Sequence, residues 1–518
     1  MSKDQDMGKR EKRDWASYGQ IMSLALPIVI QNLFSAAISS TDVIMLNSVG
    51  QSSISAVSLA VQYSNVLYMV YYGLGTGATM LCAQYWGKGN LAAIEKVEGI
   101  ALRFAVGISL LFAIPAALIP QLMMSVFTAD QELIQIGTSY LRVISISYLC
   151  WGFSEVYLSV LRSIERVKIS TVLNVSALLL NVCLNAVFIY GLFGAPRLGA
   201  QGVAIATSIS RVAQLAACFT VSAVYGSSSP EAVCANEGKP RIQRNADAPH
   251  GWHGTAASET GQNAGAEHDD MHDTAASGAK RDAGVIVRLR PSAMFWKSGA
   301  LMQDFLRLSV PALANDIIWS VGFSMYSVVM GHMGTDVVAA NSIVVVVRNF
   351  GTVLCYSIAS ASGIFVGKEI GAKRMEDAKR DAARSMHLTV AAGAFGGILV
   401  AVIMPFVLRY ASLSETAMGY LRVMLLINTY YIMGTAVNTT LIAGIFRAGG
   451  DSRFGLICDT IDMWCYGVPL GFLAAFVLKL PPMWVYFLLC TDEFVKWPWV
   501  LQHYKSRKWL NNITREDV

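Results

Sequence analysis

Charge is what this 518-residue chain has least of. Asp, Glu, Lys and Arg make up 14% of it, while 54% is hydrophobic. A soluble protein of this length carries about a quarter charged residues, and the mean hydropathy here is +0.47. So few charges cannot cover a water-facing surface, which excludes an ordinary soluble domain and points to a chain solvated by lipid. Also absent are a CxxC pair and any zinc-ligand spacing among the nine cysteines. That excludes cysteine-based metal or redox chemistry and leaves Cys82, Cys150, Cys218 and their like as small apolar residues. No nucleophile or metal constellation stands out, so an enzyme is not expected. The net charge of +5 is modest and gives no reason to expect a nucleic-acid partner. No short apolar core with a small-residue cleavage site follows the charged start MSKDQDMGKREKRDW, so the run from Tyr18 is expected to serve as an uncleaved first anchor.

What is there is a series of apolar runs of the length a bilayer requires, about 20 residues each. They lie at 19–46, 54–80, 99–120, 133–160, 169–191 and 200–225, then at 304–331, 338–366, 386–408, 417–444, 455–478 and 482–503. This predicts an all-α membrane protein of twelve transmembrane helices. The ninth run, LTVAAGAFGGILVAVIMPFVL, carries no charge, whereas Asp492, Glu493 and Lys496 interrupt the twelfth. Basic residues test the map, because short cytoplasmic loops are enriched in Lys and Arg. With the N-terminus inside, alternate loops hold Lys88 and Lys96, then Arg162, Arg166 and Lys168, then Lys368 to Arg384, then Arg447 and Arg453. The opposite loops hold only Arg197, Arg409 and Lys479. Both termini are therefore expected in the cytoplasm, with the protein in the cell membrane.

The chain divides into a tail (1–17), a first lobe of spans 1–6 (18–225), a linker (226–302), a second lobe of spans 7–12 (303–504) and a tail (505–518). The linker is polar and rich in Gly, Ala, Ser and Asp, a composition that cannot bury enough apolar surface to order itself. It holds His250, His253, His268 and His272, and its HDDMHD stretch offers weak transition-metal ligands or simply chance His and Asp in a flexible tether.

The two lobes repeat each other. Pro27 and Pro311, Gly50 and Gly334, and Gly87 and Gly371 are each 284 apart, Arg162 and Arg447 are 285 apart, and YLRV recurs at 140 and 420. Six crossings separate the copies, so both enter from the same side and form two parallel six-helix bundles, related by an axis along the membrane normal. Two similar bundles that can rock about a central site suit a transporter.

With that repeat, the segments LALPIVIQNLF, STDVIMLNSVG, AQYWGKGN, LRSIERVKIS, NVCLNAVFIYGLFGAPRLGAQGVAIATSIS and LIAGIFRAGGD resemble multidrug and toxic compound extrusion (MATE) transporters, over nearly all of both bundles. The resemblance implies two lobes around a V-shaped cavity. It implies export of small organic, often cationic, compounds driven by inward H⁺ or Na⁺, with no cofactor beyond the coupling ion; a monomer is expected. An alternative within transport is a flippase for a lipid-linked oligosaccharide, which would show several arginines facing the cavity. A membrane receptor using 226–302 as its output is disfavoured by the lack of a folded-domain signal there.

An ionisable residue inside the bilayer is costly and is a functional hypothesis by default. Asp42 lies in the outer third of span 1, where the resemblance places an ion-coupling aspartate. A carboxyl in low dielectric takes a proton more readily than in water; alternatively it ligates Na⁺. Asn181 and Asn185 are four apart on span 5 and share a helix face. Many relatives carry Asp at the second position, so Asn185 removes one titratable group. The pair either serves Asp42 or packs helices together. In the second lobe Asp316 stands one turn before Trp319, where many relatives place an acid. Asp459 and Asp462 share a face of span 11. They form either a second cation site or, for Asp459, a pair with Arg453. Glu493 and Lys496 suggest an intrahelical pair. Pro27 beneath Asp42 breaks a backbone hydrogen bond and allows a hinge or a static kink. Tyr63, Tyr68, Met69, Tyr71 and Tyr72 on span 2, and Tyr430, Tyr431 and Met433 on span 10, either line a site for flat cations or form packing and lipid-facing surface. With Tyr326 aligned to Asp42, the first lobe is expected to carry the coupling.

Overall fold

The computed structural model describes residues 2–47, 51–128, 130–226, 286–295, 299–411 and 413–516. The side chains of residues 2–16 and 39–44, Asp42 among them, lie outside the described residues, as do the linker histidines and HDDMHD. The first lobe holds α1 (Ser2–Asn47), α2 (Gln51–Lys88), α3 (Leu91–Leu118), α4 (Gln131–Ser163), α5 (Val167–Tyr190) and α6 (Gly199–Tyr225). The second holds α7 (Gly299–Gly331), α8 (Thr335–Gly371), α9 (Met375–Tyr410), α10 (Glu415–Thr439) and α11 (Ser452–Val477). Hydrocarbon offers backbone groups no partner, so each apolar run closes its own hydrogen bonds as a helix.

Ten described helices are long and apolar enough to cross a membrane. The other two crossings are irregular. α10 passes into a π-helical stretch, Thr440–Phe446. The twelfth crossing is broken into α12 (Pro482–Leu489), α13 (Asp492–Val495) and α14 (Trp497–Ser506), at the point where the sequence places three charges. α11 contains two further π-helical stretches, Asp462–Gly467 and Leu473–Val477. Helix α1 runs on through Pro27 without a break. The plan is the twelve-helix, two-lobe fold expected.

The repeat is visible in the backbone. Left-handed residues occur at matching turns: Gly89 (φ +77°) and Lys373 (φ +62°), and Glu165 (φ +64°) and Gly450 (φ +76°). α2 and α8 cross on the pseudo-two-fold axis. A Cβ built on Gly87 would run into the carbonyl oxygen of Lys368, and one on Gly371 into that of Gln84. Gln84 and Lys368 are themselves repeat equivalents, so each lobe presents the same carbonyl to the other's glycine. Only glycine permits this backbone approach.

This crossing lies at the end of the bundle whose loops carry most of the Lys and Arg, called here the basic face. Side chains tie the lobes together there. Gln84 donates to the carbonyls of Ala448 (2.7 Å) and Asn511 (3.1 Å) and accepts from the Ile513 amide (2.8 Å). Lys368 pairs with Glu165 at 2.7 Å. The C-terminal segment folds into the same seam: Trp509 is fully buried, Arg515 grips Asp304 at 2.5 Å and Lys88 donates to the Arg515 carbonyl.

Residues 286–295 depart from the expectation of a linker disordered throughout 226–302. They form an ordered strap on the first lobe, because Ile286, Val287, Leu289 and Ala293 bury apolar side chains there. The Leu289 amide donates to Ser222 Oγ (2.6 Å), Arg103 Nε to the Met294 carbonyl (2.7 Å), and Arg290 lies 3.6 Å from Glu95. Gly99 leaves room for Ala293. Overpacking costs about 1–3 kcal/mol, so Gly99→Leu should lift the strap. Tryptic cleavage after Arg288 should then rise about tenfold or more; unchanged cleavage would show that the strap does not depend on this contact.

Candidate functional site

A cavity of about 260 Å³ opens between the lobes. One wall is the aromatic face of α2, with Tyr68, Met69 and Tyr72. These recur at helical spacing, so they share one face, while Tyr71 turns into the lobe core, where its hydroxyl meets Ser109 at 2.5 Å. Trp319 of α7 and Tyr356 of α8 complete the aromatic lining. Of the second aromatic set in the sequence, Tyr430, Tyr431 and Met433, none lines this cavity.

The opposite wall is ionic and belongs to the second lobe. Arg447 clamps Asp316 through both guanidinium arms, at 2.6 and 3.4 Å, and donates to Asn315 Oδ1 at 2.8 Å. Asn315 passes the chain on, donating to Asp459 Oδ2 at 2.7 Å. Lys496 lies 3.3 Å from Asp459, 3.5 Å from Asp462 and 3.1 Å from Glu493. Asn438 donates to Glu493 Oε2 at 2.6 Å. Asp492, next in the chain, accepts from the Tyr326 hydroxyl at 3.0 Å. The helix irregularities place these groups. The π-helical turns follow Asn438 and begin at Asp462, and the break after α12 lets Asp492, Glu493 and Lys496 face inward together. Such π-turns are frequent at functional sites.

The bookkeeping of charge is uneven. Five buried or half-buried acids (Asp316, Asp459, Asp462, Asp492, Glu493) surround two bases (Arg447, Lys496), a formal −3 if all are ionised. Asp462 is fully buried, and neither of its oxygens accepts a hydrogen bond among the described residues. Buried charge is tolerated only when paired and hydrogen-bonded. This cluster therefore has capacity for protons or a small cation.

The first lobe repeats the frame without the acids. Asn32 stands where the second lobe has Asp316, and Asn174 where it has Asp459. Gln214 donates to Asn174 at 3.0 Å, in the place of the Lys496–Asp459 pair. Arg162, equivalent to Arg447, turns to Glu155 at 3.2 Å. Arg211 lies over the Trp151 ring at 4.4 Å.

Each residue singled out within the membrane for ion coupling now has a place, except Asp42, whose side chain lies outside the described residues. Asn181 and Asn185 do share a face. Asn185 donates to Asn181 at 3.2 Å and Asn181 to Thr207 at 3.1 Å, inside the first lobe and away from the ionic wall. Asp316 and Asp459 line the cavity, and Asp462 stands behind Lys496. The alternative pairing of Asp459 with Arg453 is not what forms: Asp459 faces Lys496 and Asn315, because α11 packs its inner face against the broken twelfth crossing. Glu493 and Lys496 do pair, but Lys496 is the hub of three acids rather than half of a local pair. Sequence reasoning missed Asn315 and Asn438, neutral residues with no signal of their own, and the clamp made by Arg447, which stood out only as a repeat marker.

Comparison with known proteins agrees with this architecture. The sequence pattern of the MatE family matches residues 27–187 and 311–473, one stretch in each lobe. A Bacillus subtilis protein described as "Uncharacterized transporter YisQ" is 21% identical over 498 residues, covering 95% of this chain and 94% of that one. "Probable multidrug resistance protein YoeA", also from Bacillus subtilis, is 22% identical over 477 residues, covering 91% and 90%. Among solved structures, a MOP superfamily transporter from Pyrococcus furiosus superposes with a TM-score of 0.74 at 18% identity, covering 95% of this chain and 97% of that one. An outward-facing multidrug resistance MATE family transporter gives 0.71 at 19%, covering 95% and 97%. With both lobes matched, the chain belongs to the MatE family and is a multi-pass membrane transporter.

Proposed function

We propose that this protein is an antiporter that exports small organic compounds, cationic and aromatic ones above all, in exchange for H⁺ or Na⁺. The observation that carries the reading is the cavity's polarity: an aromatic wall faces an ionic wall with more acids than bases. Aromatic faces attract cations, and a cation entering this cavity meets Asp316, Asp459 and Glu493. Protons or Na⁺ compete for the same carboxylates, so loading the coupling ion weakens substrate binding and the reverse. That competition is what exchange requires. The acid cluster of the second lobe is the better supported coupling site; Asp42 with Asn181 and Asn185 is a second one in the first lobe, with Pro27 as its hinge.

The distribution of Lys and Arg supports a cytoplasmic basic face, and in that orientation the lobes are sealed on the cytoplasmic side. A flippase for a lipid-linked oligosaccharide needs free arginines for its phosphates. Here Arg447 and Lys496 are both committed to carboxylates, which weighs against that reading.

The test is efflux of a fluorescent organic cation from proteoliposomes under an imposed pH or Na⁺ gradient. Transport should accelerate with one of the two gradients, and indifference to both would sink the proposal. Asp462→Asn should uncouple transport from the gradient, cutting gradient-driven efflux about tenfold or more, since coupling between two binding events is typically worth about 5–150-fold. Asp42→Asn run beside it reports which lobe dominates. Full coupled efflux in Asp462→Asn, with loss in Asp42→Asn, would move the coupling site to the first lobe.

A further inference from the structure

At the basic face a separate cavity of about 260 Å³ forms where three segments of chain meet. Arg307 comes from α7, Asp451 and Arg453 from the entry to α11, and Lys508 and Asn511 from the C-terminal segment. Among the described residues, Arg307, Arg453 and Lys508 have no acid partner and no side-chain hydrogen bond. Their neighbours on the same face are paired: Arg515 with Asp304 at 2.5 Å, Lys373 with Glu516 at 3.0 Å and Lys368 with Glu165 at 2.7 Å. The cavity's own carboxylate is already committed, since Asp451 accepts from the Phe454 amide (3.4 Å) and meets His503 Nε2 at 2.7 Å. Three bases are thus gathered around one hollow whose single carboxylate, Asp451, is turned to His503 and the Phe454 amide.

The surroundings say what kind of anion fits. Two stripes of exposed apolar side chains lead away from the cavity along the lipid-facing surface. Leu306 (36% exposed) and Val310 (55%) flank Arg307 on α7; Ile457 (59%) and Ile461 (43%) follow Arg453 at four-residue steps on α11. Basic groups at the head of apolar tracks match a phosphate headgroup above its acyl chains. Guanidinium forks match phosphate oxygens bidentately, and an ammonium adds a point charge beside them.

We propose that this cavity binds the phosphate headgroup of an anionic phospholipid from the leaflet at the basic face. The bound headgroup links Lys508 to α7 and α11, and so holds the C-terminal segment in the seam that closes the lobes.

The experiment compares the full-length protein with the triple variant Arg307→Gln/Arg453→Gln/Lys508→Gln and with Lys505→Gln/Arg507→Gln, which removes exposed bases outside the cavity. Each is placed in nanodiscs of phosphatidylcholine with and without phosphatidylglycerol, and separately titrated with inorganic phosphate in detergent. Native mass spectrometry counts retained phosphatidylglycerol, and thermal melting reads stabilisation. The parent and the double variant should retain phosphatidylglycerol and melt higher in its presence. The triple variant should bind it roughly a hundredfold more weakly, at about a fivefold loss per base, and gain no stability. Equal retention in the triple variant overturns the site. An equal loss in the double variant overturns it too, because surface charge alone would then explain binding. Stabilisation by inorganic phosphate without a response to phosphatidylglycerol overturns the lipid assignment.

Discussion

Lys496→Met should be the most damaging single substitution in the cavity. Methionine keeps the length and apolar stem of lysine but leaves Asp459, Asp462 and Glu493, all within 3.5 Å of the ammonium, without a cation. Removing one partner of a buried ion pair costs about 3–5 kcal/mol, and here three acids lose the same partner. The expected result is low expression, a melting temperature below that of every other cavity variant, and no measurable transport. Adding Glu493→Gln should recover part of the loss, because the amide keeps the hydrogen-bonding shape while removing one uncompensated charge. If Lys496→Met melts with the parent and still transports, the acids are neutralised by something other than Lys496, and the hub assigned to it is wrong.

Gly87→Val should fail for a different reason. Its side chain would occupy the place of the Lys368 carbonyl at the α2–α8 crossing, so closing the basic face becomes a clash between backbone and side chain. Overpacking of this kind costs about 1–3 kcal/mol, a shift of roughly five- to a hundredfold in the balance between closed and open lobes. Transport should fall about tenfold or more. A thiol placed by Ser360→Cys in the hollow above the crossing should then react with an impermeant reagent added at the basic face, and far less so when Gly87 is intact. Gly371→Val should act alike, because the two glycines are equivalent about the axis. Unchanged labelling and transport in both would show that the lobes do not close through this crossing.

Both predictions rest on positions the sequence had already marked, though for other reasons. Gly87 and Gly371 stood out as repeat anchors; that they meet the carbonyls of Lys368 and Gln84 follows only from the crossing. Lys496 stood out as a charge that weakens span 12, with Glu493 as its partner three residues before. Local spacing finds that pair because both groups lie on one helical turn. It cannot find Asp459, 37 residues earlier, which reaches Lys496 only once α11 lies against the broken helix.

The number of crossings, their pairing into two lobes and the likeness to MATE transporters were all legible without coordinates. The physical reason is that lipid imposes long apolar runs and duplication leaves a constant offset, and both are properties of order along the chain. The asymmetry of the lobes was legible too, as Tyr326 against Asp42 and as second-lobe acids at Asp316, Asp459 and Asp462, but read along the chain it pointed to the first lobe for coupling. The partners of those acids were decided by tertiary structure. Which carboxylates share Lys496, that the Asp462 carboxylate accepts no hydrogen bond among the described residues, and that 286–295 and the C-terminal segment pack instead of trailing free all depend on distances across helices, and the order of residues in the chain does not encode those one at a time.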